Sequence, residues 1–129
     1  MATNQPNLPR ILLVEDDLGV RETTIDLLSF TNTTVYTAIG GFEASRFLES
    51  QEVDLVITDL SMPDGDGNWL LNWIRSSPRH QKLKVVIMSA HAQIDRVEAG
   101  LLAGANGYLT KPFDPVKFIA SVNDYLSSV

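Results

Sequence analysis

The sequence predicts an α/β domain: a doubly wound, five-stranded parallel sheet with five helices in three layers. Three observations predict it. Five short apolar runs recur along the chain, segments of helical character separate them, and three of the runs are apolar without a break. "ILLV", "LVI" and "VVIM" lack the alternation of a half-exposed strand, as expected of parallel strands covered on both faces. Strand-then-helix units of this kind close with right-handed crossovers.

The elements follow in order. "RILLV" (10–14) is the first strand, and 17–30 the first helix. "TVYTA" (34–38) is more polar, which suits an edge strand, and 40–50 is the second helix. "DLVIT" (54–58) leads to a helix over 66–76, and "KVVIM" (84–88) to one over 92–104. In that fourth helix Ile94, Val97 and Leu101 fall at i, i+3 and i+7, one helical face. Gly104 stands where a helix-ending glycine is expected. "GYLT" (107–110) is the fifth strand, and Asp114 and Pro115 open a last helix over 113–127. Residues 1–9 read as a flexible segment and 10–129 as the domain.

Composition narrows the function. A chain of 129 residues, 44% apolar, is sized for one folded domain. No window nears eighteen uninterrupted apolar residues, and the N-terminus has no apolar signal region. With no cysteine there is no disulfide, thiolate metal site or cysteine nucleophile, so a cytoplasmic location is expected. A net charge of −6 argues against gripping a phosphate backbone. The basic cluster "RSSPRHQKLK" (75–84) reads as a solvated loop, and no nucleic-acid or membrane partner is expected.

In open α/β sheets ligands sit outside the carboxyl ends of the strands. Just past strand one come Glu15, Asp16 and Asp17; past strand three, Asp59 and then Ser61; past strand four, Ser89 and His91; past strand five, Lys111. If these strands are neighbours, one edge gathers carboxylates, a hydroxyl and an ammonium. Like charges about 4 Å apart repel by roughly 4 kcal/mol at an effective dielectric of 20. Such a cluster takes up protons or a cation, and a hard ion with oxygen ligands fits: magnesium, with manganese as the alternative. A cation, a lysine and a hydroxyl around one carboxylate make a receptor for a phosphoryl group. The central carboxylate can be its nucleophile, giving an acyl phosphate.

"ILLVEDD", "VITDLSMPDGDG", "VVIMSAHA" and "YLTKPF" together resemble the receiver domain of two-component response regulators, over about residues 10 to 125. The resemblance implies the flavodoxin-like strand order 2-1-3-4-5, for which a chemotaxis receiver is a standing example. Carried over by position, it makes Asp59 the phospho-acceptor and Asp16 a direct magnesium ligand. Glu15 acts through water and Ser61 through its backbone carbonyl. Lys111 pairs with the phosphoryl oxygens, ahead of a cis bond to Pro112. Ser89 is the hydroxyl switch and Tyr108 the aromatic that turns inward with it. Ser61 and His91 tune the lifetime of the phosphate, and Asp17 matches no required position.

The implied partners are a histidine kinase or phosphotransfer protein upstream and an effector or tethered output domain downstream. The readout is the surface of helix 4, strand 5 and helix 5, with a phosphorylation-dependent homodimer as one form. Lys117, Ser121 and Asn106-Gly107 depart from the charge pattern of the winged-helix subfamily's dimer face. A stand-alone receiver and one excised from a hybrid kinase or a longer regulator are both expected contexts. In the last helix Ile119 and Leu126 face either the core or a partner.

Three rivals fit less well. A flavin-binding flavodoxin needs backbone and hydroxyl donors where Glu15-Asp16-Asp17 stand. A haloacid-dehalogenase-type phosphatase needs a second aspartate where Ser61 stands. An EF-hand starting at Asp64 meets Trp69 and Arg75 at its glycine and glutamate positions. Asp54 lies roughly 16 Å from Asp59 at ~3.3 Å per residue, while Asp64 and Asp66 shape the turn before helix three.

Overall fold

A computed structural model describes residues 8–90, 98–101 and 103–127. The strands are β1 (Arg10–Val14), β2 (Thr34–Ala38), β3 (Leu55–Asp59), β4 (Lys84–Ala90) and β5 (Gly107–Lys111). The helices are α1 (Leu18–Leu28), α2 (Gly41–Ser50), α3 (Gly67–Ser76), the described end of α4 (98–101) and α5 (Pro115–Ser127). All strands pair in parallel in the order β2-β1-β3-β4-β5, which places the polar "TVYTA" at an edge. The order reverses between β1 and β3, so the crevice for a ligand opens at the carboxyl ends of those two strands.

The pleat divides the core. Leu12, Val14, Val56 and Val85 face α2 and α3, meeting Ala44, Leu48, Leu70, Leu71 and Ile74. Ile11, Leu13, Leu55, Ile57, Val86 and Met88 face the other way, against Leu28 of α1 and Phe118 and Val122 of α5. β1 and β3 are therefore covered on both sides, which is why their sequences are unbroken apolar runs. Truncating one of these buried leucines or isoleucines to alanine costs about 2–5 kcal/mol. Ile119 and Leu126 pack against this second cluster and so serve the core. Of the expected fourth-helix face, Ile94 and Val97 lie outside the described residues, and Leu101 is partly exposed.

Three expectations need correction. First, Asp59, Ser89 and Lys111 lie within the strands rather than past them. The ladder continues because Asp59 pairs with Met88, Ser89 with Thr110 and Ala90 with Lys111. Second, Asp54 precedes β3, and its Oδ2 accepts from the Arg10 N–H at 2.8 Å. Third, the basic cluster is a solvated loop only in part: Arg79 and Lys82 are exposed, but Arg75, His80 and Lys84 are engaged by the fold. Arg75 donates to the carbonyls of Gly104 (2.8 and 3.0 Å) and Leu83 (2.6 Å) and to Asn106 Oδ1 (3.0 Å). Lys84 Nζ donates to the Tyr125 carbonyl at 2.6 Å, near the end of α5. His80 is buried, its ring stacked 5.5 Å from Trp73, and burial, with Arg79 nearby, pushes its imidazole pKa down. Spacing shows the positive charges but not the carbonyls that the fold folds back onto them.

Candidate functional site

The main chain at the crevice is fixed before any side chain is aimed. Glu15 N–H donates to the Ala38 carbonyl at 3.0 Å, adding one residue to the β1–β2 pairing. Asp17 caps α1, its carboxylate accepting from Val20 N–H at 2.9 Å, so it points to its own helix. On the other side, α3 begins against β3: Gly67 N–H donates to the Leu60 carbonyl at 3.0 Å. A Cβ on Gly67 would come within 2.6 Å of the Asp59 carbonyl, so only glycine allows this approach. Asp66 caps α3 through Trp69 N–H at 2.8 Å. The loop between them is clamped onto α2, where Gly41 and Phe42 N–H groups donate to the Gly65 and Asp64 carbonyls at 2.7 and 3.0 Å. Gly65 takes φ +89° there, with the Phe42 ring against it.

Within this frame Glu15, Asp16 and Asp59 bring ligand oxygens within 4.8 Å of one another. Glu15 is buried, Asp59 nearly so, and Asp16 exposed. Lys111 Nζ bridges two of them, 3.3 Å from Glu15 Oε1 and 3.3 Å from Asp59 Oδ2. Asp59 Oδ1 accepts from Leu60 N–H at 2.7 Å, which sets the rotamer of the carboxylate. Glu15 Oε2 accepts from Asp17 N–H at 3.2 Å.

Burial pushes the Glu15 carboxyl up to about 7. The Asp17 N–H and the Lys111 charge pull the other way, while the Asp59 charge and a hydrogen bond to it add to the rise. The set is all-oxygen, anionic and strained by like charge, the chemistry a hard divalent cation relieves.

The remaining expected residues are near. Ser89 is buried, and its hydroxyl donates to the Ala90 carbonyl at 3.0 Å. Ser61 is exposed two residues past Asp59, and Tyr108 is 41% exposed on β5. Lys111–Pro112 is cis. His91 lies outside the described residues. One contact escaped the sequence reading: Arg21, one turn into α1, donates to the Glu15 carbonyl at 2.9 Å. Its only signal in the sequence is its place four residues after the acidic run.

The family model for the response regulator receiver domain matches residues 11–123. The chain belongs to that family. This receiver is 36% identical over 117 residues to the response regulator MprA of Mycobacterium ulcerans, covering 91% of this chain and 50% of that one. It is 34% identical over 115 residues to an uncharacterised 14.6 kDa protein of Leptolyngbya boryana, covering 89% and 88%. A crystal structure of a candidate response regulator from Chloroflexus aurantiacus superposes with TM-score 0.90 at 31% identity, covering 95% and 100%.

The receiver spans about half the length of MprA and of the transcriptional regulatory protein GltR of Pseudomonas aeruginosa. The family works in two-component signalling as a phospho-acceptor rather than a conventional enzyme. Its members typically bind magnesium at an acidic pocket, and Glu15, Asp16 and Asp59 form one here. No helix among the described residues is long and apolar enough to cross a membrane.

Proposed function

We propose that Asp59 accepts a phosphoryl group from a phosphohistidine on a kinase or phosphotransfer protein, and that this sets the state of the α4–β5–α5 surface. The observation that carries the reading is Lys111 Nζ shared at 3.3 Å between Asp59 and Glu15 at the reversal point of the sheet. Asp16, Asp59 and the Ser61 carbonyl would hold magnesium directly, and Glu15 through water. When bound, the ion neutralises charge on the phosphoryl oxygens.

Asp59 Oδ2 attacks phosphorus in line, the P–N bond breaks, and its electron pair returns to the imidazole. No general base is needed, because a carboxylate is already the nucleophile. Lys111 leaves its carboxylate contacts for the new phosphoryl oxygens, where its charge counts most in the transition state. Ser89 exchanges the Ala90 carbonyl for a phosphoryl oxygen, which draws the end of β4 inward and frees space for Tyr108. Water later hydrolyses the acyl phosphate, at a rate tuned by Ser61 and His91.

An apolar groove lined by Val20, Leu27, Pro112 and Phe113 reaches the site at Asp17 and Lys111 and suits the incoming donor. The receiver acts through a separate effector or a tethered output domain, or within a hybrid kinase. The last context draws support from a receiver of a histidine kinase from Syntrophus aciditrophicus, 31% identical with TM-score 0.85.

A small phosphodonor with magnesium is expected to label wild-type protein at Asp59, as mass spectrometry reads directly. Asp59→Asn is expected to carry no label; label retained in that variant moves the phospho-site elsewhere. Lys111→Ala should keep most magnesium affinity while slowing transfer, and loss of metal binding in that variant would refute the role given to the lysine.

A further inference from the structure

Arg21 is a cation beside the acidic loop that the reaction above does not use. Its guanidinium Nη1 lies 2.9 Å from the Glu15 carbonyl oxygen and 3.5 Å from that of Asp16. Neither contact occupies a carboxylate oxygen. Lys111, by contrast, sits on Glu15 Oε1 and Asp59 Oδ2, oxygens that a metal ion or phosphoryl group competes for. We propose that Arg21 is a positioning residue for the divalent cation. It holds the main chain of Glu15 and Asp16 so that their carboxylates meet Asp59 before the ion arrives. It also offsets negative charge from a place that blocks no ligand position.

The rest of the loop explains why such a hold matters. Glu15 N–H is fixed to Ala38 and Asp17 to the start of α1. Between them Asp16 is exposed, and Arg21 is the side chain that reaches toward its carbonyl. Repulsion between close carboxylates favours swinging the exposed one into water. Arg21 opposes that swing from the α1 side, where it is itself anchored by its N–H to the Asp17 carbonyl at 2.9 Å. Without it an arriving ion must reassemble the loop, so affinity falls while the filled site works as before. Groups that orient metal ligands are typically worth 10–100-fold in affinity.

The inference rests on the phospho-acceptor reading for the identity of the ion, and the test separates the two. Magnesium is titrated by calorimetry into wild type, Arg21→Gln and Arg21→Lys, and amide exchange is followed in the metal-free proteins. Arg21→Gln is expected to raise the magnesium Kd about 10-fold and to lose exchange protection within residues 15–17 only. Arg21→Lys, which keeps the charge without the fork, should fall between. Labelling of Asp59 should need about tenfold more magnesium in the Gln variant and reach a plateau near that of wild type.

An unchanged Kd in the Gln variant, with normal wild-type binding, overturns this inference alone. Protection lost uniformly across the sheet overturns it too, since that marks a merely structural residue. Wild type that binds no magnesium overturns both readings.

Discussion

Glu15 shows how one buried carboxyl couples folding to pH. Its pKa in the folded chain is raised from 4.5 to about 7, chiefly by burial. Below pH 4.5 the group is protonated in both states and is at no disadvantage when folded. Between pH 4.5 and 7 the unfolded chain gives up the proton while the folded one keeps it, so stability falls as pH rises through that window. At 1.36 kcal/mol per pKa unit the loss is on the order of 3 kcal/mol, complete above the folded value. Metal-free wild type is therefore expected to melt progressively lower between pH 5 and 8 relative to Glu15→Gln, which has no such proton. Parallel melting curves across that range would show that burial does not hold the proton there. Magnesium bound at the trio as proposed would displace the same proton, so its affinity should rise over the same interval.

At the scale of elements, the α3–β4 segment was the least legible part of the chain. β1, β3 and β4 were readable because burial on both faces leaves a composition no exposed segment shares. The acidic pair, Asp59 and Ser89 were readable because each ends or follows such a run, and Lys111 because it closes the fifth, more polar strand. Arg75 was not, since a guanidinium bonded to carbonyls has the same sequence signature as one in water. In the fold it holds the α3–β4 turn through Leu83 and the α4–β5 turn through Gly104 and Asn106. Asn106 in turn receives Val85 N–H on its side chain at 2.8 Å, joining that turn to the start of β4. Removing the charged donor strands several carbonyls, each worth about 1–3 kcal/mol when left unsatisfied. Arg75→Met is expected to lose about 3 kcal/mol, measured by urea denaturation, with faster amide exchange at Val85 and residues 104–106. A loss below about 0.5 kcal/mol would mean that water replaces the guanidinium without penalty.

Over the whole molecule, the site joins the ends of separate strands of one sheet. Glu15 and Asp16 end the β1 segment, Asp59 ends β3, and the loop after it is tied to α2 through Gly41 and Phe42. Lys111 belongs to β5, beyond β4, so its contact with Asp59 reaches across the sheet to the far edge strand. An ion bound to the acidic trio joins β1 to β3 in the folded state and has no counterpart in the unfolded chain. Its stabilisation then follows mass action, about 2.7 kcal/mol at one hundred times its Kd. For a domain of this size that corresponds to a Tm rise of roughly 10 °C. Asp16→Ala removes the proposed direct ligand, which is exposed, and relieves its repulsion with the other carboxylates, so its metal-free Tm should equal or exceed that of wild type. Saturating magnesium should then raise the Tm of wild type by about that amount and that of the variant by only a small part of it. Equal magnesium-induced shifts in both would place the ion away from Asp16 and break the link between the β1–β3 crevice and the stability of the sheet.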